Sequence, residues 1–513
     1  MSGTVRHIID EAANRAPQKP FLVAPENGET MTYGELKARC GEIEAGLNSL
    51  GARPGDKVAF LLDNGPWTAS LFLATMYAGM VTVPLNAVAG VPQVAYILEH
   101  CDADILFVAD HYADQFAEAI SACPRTLKII ATDALSGPVS TWHDAGAQSG
   151  RSQITVQSTD DALLLYTSGT TGLPKGALLS QRAVLAGGEN TAHAHQLTDQ
   201  DRALCVLPLY HINGEMVTVM GPLVSGGSVV MPAKFSAKQF WLWAAEHQCT
   251  WISVVPTIVK YLLDRADQEP FEFGVSPELN QMRFGRSASA PLPASVMEAF
   301  EARFCMPMIE TMGMTETAAP LLSNPMPPEP RKPGSPGVAM GNEVRIADED
   351  GQSLPDGEIG ELVIRGPNVL NGYYKNEDAT RSSFHAERWF RSGDLGYRDK
   401  QGYFFITGRL KELIIKGGEN IAPREIDDAL YQHEAVLEAA AVGVPHDNYG
   451  QDVVACVRLR DGYSATEHEL QQFCEERVGR FKTPTTIHFM DDLPKGPSGK
   501  IQRLKLPELL SVQ

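Results

Sequence analysis

The chain has 513 residues, 43% of them hydrophobic and 21% charged, a composition that supports a large globular core and allows more than one domain. Its 43 basic and 63 acidic side chains leave a net charge of −20, which argues against nucleic acid or an anionic membrane as a partner of the whole surface. No stretch approaches the roughly 18 consecutive apolar residues of a membrane span. The eight scattered cysteines (40, 101, 123, 205, 249, 305, 456 and 474) form no CxxC pair, so buried free thiols in a reducing cytoplasm are expected.

In chain order, the first segment, "MSGTVRHIIDEAANRAPQKP", has a short apolar core and carries acids. It reads as an amphipathic helix and not as a signal peptide. Short apolar runs at 162–166, 203–208, 227–232, 250–256 and 307–311 then alternate with longer helical patterns such as 236–248 and 292–304. That alternation predicts an α/β architecture with buried strands. "NPMPPEPRKPGSPG" (324–337) is a proline-rich surface loop. Past it, "DEDG" and "LPDG" mark turns between further strands. The segment after "GRLKELIIKGGEN" has strands and helices of its own. The expected division is a large N-terminal domain of α/β subdomains (1–408) and a small α+β C-terminal domain (409–513). The join lacks glycine and proline, so it reads as a tight hinge and not a loose linker.

The stretch densest in chemistry is "YTSGTTGLPKG", Tyr166 to Gly176, directly after an apolar run. Glycines let backbone N–H groups approach an anion, and hydroxyls and a lysine add donors and charge. It is not a Walker loop, because Pro174 precedes Lys175 where that motif needs glycine. It is not a dinucleotide fingerprint either. Alone, such a stretch can also be read as a polar surface loop.

It does not stand alone. "GMTE" (313–316), "SGDLG" (392–396), "GRLKELIIKGGENIAPREI" (408–426) and "PKGPSGKIQR" (494–503) follow it in order. Together these motifs resemble the adenylate-forming enzymes: acyl-CoA synthetases, peptide-synthetase adenylation domains and firefly luciferase. The likeness runs from "TYGEL" (32–36) to Lys500. It implies an enzyme that joins a carboxylate to the α-phosphate of ATP, expels pyrophosphate and passes the acyl group from AMP to a thiol.

The resemblance also implies roles. Thr167, Ser168, Gly169, Thr170, Thr171, Gly172 and Lys175 would cover the ATP phosphates. Glu316, after Thr315, would hold Mg²⁺. Asp394 would bind the ribose hydroxyls, and Arg409 the ribose or phosphate. Met312, where the family usually has an aromatic before Gly313, would pack on adenine. Lys500 would bridge carboxylate and α-phosphate in the first half-reaction. Lys411 would be the hinge about which the C-terminal domain rotates. Gly417 and Gly418 would line the CoA tunnel, a hairpin turn being the plainer reading.

The acyl pocket implied is His211, Asn213, Arg286, Ala288 and Met314, with Glu215 nearby. His211 also reads as a neutral core histidine, and Arg286 as the partner of an acid outside the pocket. "RSASA" and "LLSNPMPP" are similar to stretches in oxalate–CoA ligases, and Ala288 and Ser289 replace the family's usual glycines. A short acid with a second anionic group, of oxalate, malonate or sulfoacetate type, fits a narrow polar pocket with an arginine. The leading expectation is an AMP-forming acid–CoA ligase using ATP, Mg²⁺ and coenzyme A in the cytoplasm. A homodimer is left open, and so are a medium-chain or aryl acid and a carrier protein loaded in trans. Intact Lys500, Glu316 and Asp394 argue against a non-catalytic nucleotide binder.

Overall fold

The computed structural model describes residues 3–140, 142, 155–167, 173–268, 279–495 and 501–511. The chain forms two compact units, Met1–Val344 with Ile364–Phe384, and Arg345–Val363 with His385–Gln513. This is a division by packing. By packing, the second unit takes in Arg345–Val363 and starts again at His385, ahead of the division expected between 1–408 and 409–513.

The first unit carries an eight-stranded and a nine-stranded sheet among the described residues. In the smaller one, Lys57–Leu61 pairs in parallel with Val81–Pro84 and with Ala103–Val108. All four residues of Val81–Pro84 are buried, as parallel strands covered on both faces require. The helix Pro66–Tyr77 is buried at every position, which explains why its sequence is apolar all round and shows no polar stripe. In the larger sheet, Arg202–Cys205, Trp251–Val254, Phe284–Ser287 and Met308–Met314 run parallel and adjacent.

The expected apolar runs form strands at Asp161–Thr167, Ser228–Val230, Trp251–Val254 and Met308–Met314. The run at 203–208 stops early, at Cys205. Pro208 cannot donate to a ladder, and the buried Asn64 amide takes over, donating to the Leu207 carbonyl and accepting from the Leu209 N–H, both at 2.9 Å. The helices expected at 236–248 and 292–304 form as Phe240–Glu246 and Ala294–Phe304. Phe240, Trp241, Phe300 and Phe304 from these helices meet ring on ring, with centroids 4.7–4.9 Å apart.

The second unit is α+β, as expected. One sheet holds Glu343–Ala347, Gly360–Arg365, Phe390–Arg398 and Phe404–Arg409. Another is built on the long antiparallel pair Val436–His446 and Gly450–Leu459, covered by the helices Pro423–Tyr431 and Glu467–Val478. Ile414, Ile421, Ile426, Leu430, Val453 and Leu470 close its core.

Candidate active site

The phosphate loop leaves and returns through neighbouring strands. Asp161–Thr167 and Lys175–Ser180 are antiparallel, with Thr167 opposite Lys175. Ser168, Gly169, Thr170, Thr171 and Gly172 lie outside the described residues. Lys175 sends its ammonium over the ring of Tyr373, 5.0 Å from the centroid. The Tyr373 hydroxyl donates to Glu316 Oε1 at 2.9 Å. Glu316 sits in the single 3₁₀ turn Thr315–Thr317, just past the strand Met308–Met314 that carries Met312 and Met314, all of them half-buried.

Gly313 is glycine because strands crowd here. A β-carbon at this position would lie 2.5 Å from the Ala319 carbonyl oxygen. Tyr373 was not singled out in the sequence. Two adjacent tyrosines in "NGYYKN" look like ordinary turn residues. Only the pairing of Gly372–Tyr373 onto the strand Lys175–Ser180 brings the ring to the lysine.

A second cluster gathers around Arg286. Its guanidinium is 1% exposed. Nη1 donates to Asn213 Oδ1 at 2.8 Å and to Ser253 Oγ at 3.0 Å. Ser253 in turn donates to Asn213 Oδ1, and Asn213 Nδ2 reaches Ser289 Oγ at 3.4 Å. Ser253 comes from the strand alongside, in register with Arg286. Asn213 opens the π-helix Asn213–Met220, a rare geometry that recurs at functional sites.

Among the described residues no carboxylate pairs with Arg286, and its Nε has no partner. The sequence left open an acidic neighbour, and none of the described residues supplies one. Burial alone pulls the guanidinium's pKa below its ordinary range, yet a guanidinium stays protonated in proteins. Its surroundings are neutral. His195, fully buried against Trp251 and Phe284, has a pKa held down to about 3 by burial and by the Arg286 charge. Glu215, expected as a polar pocket group, is fully buried on the π-helix with neither oxygen bonded. Burial pushes its carboxyl well above the usual carboxylate range, and it makes no ion pair with Arg286 among the described residues. A buried cation without a counter-ion costs several kcal/mol, and an anion entering the cluster would offset that cost.

The segment after Arg286 carries the two residues that replace the family's usual glycines. Ala288 is buried. Ser289 has φ +71°, a left-handed conformation that costs a residue with a β-carbon roughly 1–2 kcal/mol and suits glycine. His211 is half-buried two residues before Asn213, with its ring 4.9 Å from that of Tyr210.

The second unit holds the remaining expected residues. Asp394 is buried and lies directly across a strand pair from Arg409. Arg409 Nε donates to Asp394 Oδ1 at 2.8 Å. Lys411 is exposed in the 3₁₀ turn Leu410–Glu412, right after the strand Phe404–Arg409. Gly417 (φ +58°) and Gly418 (φ +87°) turn the hairpin between Ile414–Lys416 and Glu419–Ile421. Positive φ at both positions already accounts for two glycines. Lys500 lies outside the described residues.

Comparison with known proteins decides the family. The model for the AMP-binding enzyme family matches residues 9–374, and the model for the AMP-binding enzyme C-terminal domain matches 425–500. The chain is an AMP-binding enzyme. Within the family it belongs with the AMP-forming acid–CoA ligases, whose co-substrates are ATP and CoA. It is 47% identical to sulfoacetate–CoA ligase of Cupriavidus necator, over 98% of this chain and 97% of that protein. It is 35% identical to oxalate–CoA ligase of Arabidopsis thaliana, over 98% of each chain. Among solved structures it is similar to ATP-bound MatB from Rhodopseudomonas palustris, with TM-score 0.88 and 30% identity over 99% of each chain. As in the sequence reading, no helix among the described residues of this AMP-binding enzyme is long and apolar enough to cross a membrane.

Proposed function

We propose that this ligase activates a short carboxylic acid carrying a second anionic group, sulfoacetate, oxalate or malonate being the type, and transfers the acyl group to CoA. The observation that carries this reading is the buried Arg286 guanidinium, ordered by Asn213 and Ser253 and without a counter-ion among the described residues. A planar fork of donors suits a sulfonate or carboxylate. Relatives that act on sulfoacetate and oxalate support the same class.

In the first half-reaction the loop from Thr167 to Lys175 would neutralise the β- and γ-phosphates, and Lys500 would hold the attacking carboxylate and the α-phosphate where charge builds up. The described residues contain no cluster of three or more metal-ligating side chains. Magnesium does not need one, since it commonly takes one or two carboxylates together with phosphate oxygens and water. Glu316 fits that role: one oxygen is tied to Tyr373, and the other takes no hydrogen bond from a described residue. Magnesium bound there would neutralise charge on the phosphates. His211, Thr315, Met314 and Ala288 would border the reacting carboxylate. Asp394 and Arg409 would hold the ribose, and Met312 would pack on adenine.

For the second half-reaction the C-terminal part from Arg409 onward would rotate about Lys411, bringing the turn at Gly417 and Gly418 to the CoA side. Lys411→Pro fixes φ at the hinge. Acyl-AMP formation should persist while transfer to CoA falls by roughly tenfold or more. Single-turnover assays of each half-reaction measure the split, and normal CoA transfer in the variant would place the hinge elsewhere.

The test of the substrate class is pyrophosphate release across oxalate, malonate, sulfoacetate, acetate, butyrate and benzoate, with CoA present and absent. Acids with two anionic groups should lead in kcat/KM. A panel led by butyrate or benzoate would overturn the reading of Arg286 and leave the ligase class in place. Acyl-AMP that is not consumed when CoA is added would point to a carrier protein as acceptor.

A further inference from the structure

Tyr373 stands between two groups of opposite charge. Its hydroxyl donates to Glu316 Oε1 at 2.9 Å, and its ring lies 5.0 Å from the Lys175 ammonium. Lys175 and Glu316 make no ion pair with each other among the described residues; each meets Tyr373 instead. The tyrosine is held on both sides of its Cα. Gly372 and Tyr373 pair with Leu178 and Ala177, and the Tyr373 N–H donates to Thr380 Oγ1 at 2.9 Å. The phenol is thus held in place as a donor to Glu316.

We propose that Tyr373 is a positioning residue that keeps Lys175 and Glu316 apart, each ready for its own part of Mg²⁺–ATP. This rests on the reading of those two residues given above. Were the two side chains to meet, they would form an ion pair that ATP and metal must break before binding. The tyrosine prevents this with two different faces. The ring attracts an ammonium through its quadrupole without cancelling its charge, so Lys175 keeps its full charge for phosphate. The hydroxyl takes one oxygen of Glu316, which restrains the carboxylate's rotation and leaves Oε2 for the metal that Glu316 would hold.

The two faces separate in two variants. Tyr373→Phe keeps the ring and removes the hydroxyl. Tyr373→Leu removes both. Nucleotide binding is measured by calorimetry on the full chain across a series of magnesium concentrations, without turnover, alongside thermal unfolding. Tyr373→Phe should raise the magnesium concentration for half-maximal ATP binding about tenfold, the scale of one lost hydrogen bond to a charged group. ATP affinity at saturating magnesium should barely move. Tyr373→Leu should also weaken binding at saturating magnesium by a further few-fold. Glu316→Gln, measured in parallel, must itself raise the magnesium requirement. If it does not, the metal reading fails and the role of Tyr373 falls with it. If Glu316→Gln raises the requirement and Tyr373→Phe does not, only the role of Tyr373 is overturned. Equal effects of Phe and Leu, or a lowered melting temperature in Tyr373→Phe with unchanged magnesium dependence, mean a purely structural tyrosine and also overturn it.

Discussion

Lys500→Ala is expected to lower the rate of acyl-AMP formation by roughly two to three orders of magnitude, the usual loss when one preorganised electrostatic contact to developing charge is removed. Thioester formation from supplied acyl-AMP should stay within a few-fold of wild type, because the resemblance assigns this lysine to the first half-reaction only. The segment after it is well anchored. Ile501 bridges to Lys495, and the half-buried Arg503 is tied to Asp427 at 2.5 Å and to Glu412 at 3.2 Å. The described residues that flank position 500 in the sequence are thus fixed to the second unit, and Arg503 reaches Glu412 in the turn that holds the proposed hinge residue Lys411. Alanine at position 500 leaves those anchors untouched, so the melting temperature should hold. Pyrophosphate exchange and a stopped assay of CoA transfer separate the two steps. Equal loss of both would end the division of labour proposed for Lys500.

What the sequence could reveal depended on how local each arrangement is. Glu316, Lys175 and Asp394 lie in contiguous motifs, where turn chemistry and neighbouring residues carry the signal. The α/β alternation was legible for the same reason, since apolar runs and helical periods are local. Ser253, His195 and Tyr373 were not legible. Ser253 reaches Arg286 over 33 residues by parallel strand pairing, and Tyr373 reaches Glu316 over 57. No short pattern encodes such partners. Arg286 was visible as an arginine before a bulky wall, but its partner could not be read from chain order. Glu215 shows the converse. Its polarity suggested a pocket group, and packing places it fully buried on a π-helix, where burial pushes its carboxyl above the usual range. The packing division also differs from the motif-based one, because the strands Gly360–Arg365 and Phe390–Arg398 belong to the sheet that ends at Arg409, which no motif announces.

Arg286→Met should invert the order of acids. Against sulfoacetate or oxalate, kcat/KM should fall at least about 30-fold, taking roughly 2–5 kcal/mol for a broken buried charge pair. Acetate and butyrate should hold or improve, since an apolar side chain of similar length replaces a cation they cannot pair with. ATP affinity should not change. Unfolding does not confound this test. Replacing a buried charge that lacks a counter-ion by an apolar group is often neutral or stabilising. The polar partners left behind remain satisfied too, because Ser253 Oγ still donates to Asn213 Oδ1 and Asn213 Nδ2 still reaches Ser289. The expected melting temperature is therefore equal to or above that of wild type. Arg286→Lys supplies the control. It keeps the charge but loses the planar fork, so preference for a second anion should shrink without inverting. Kinetics of the three proteins on the same six acids decide the matter. If Arg286→Met scales every acid by one factor, the guanidinium supports the fold of the pocket and does not read the substrate.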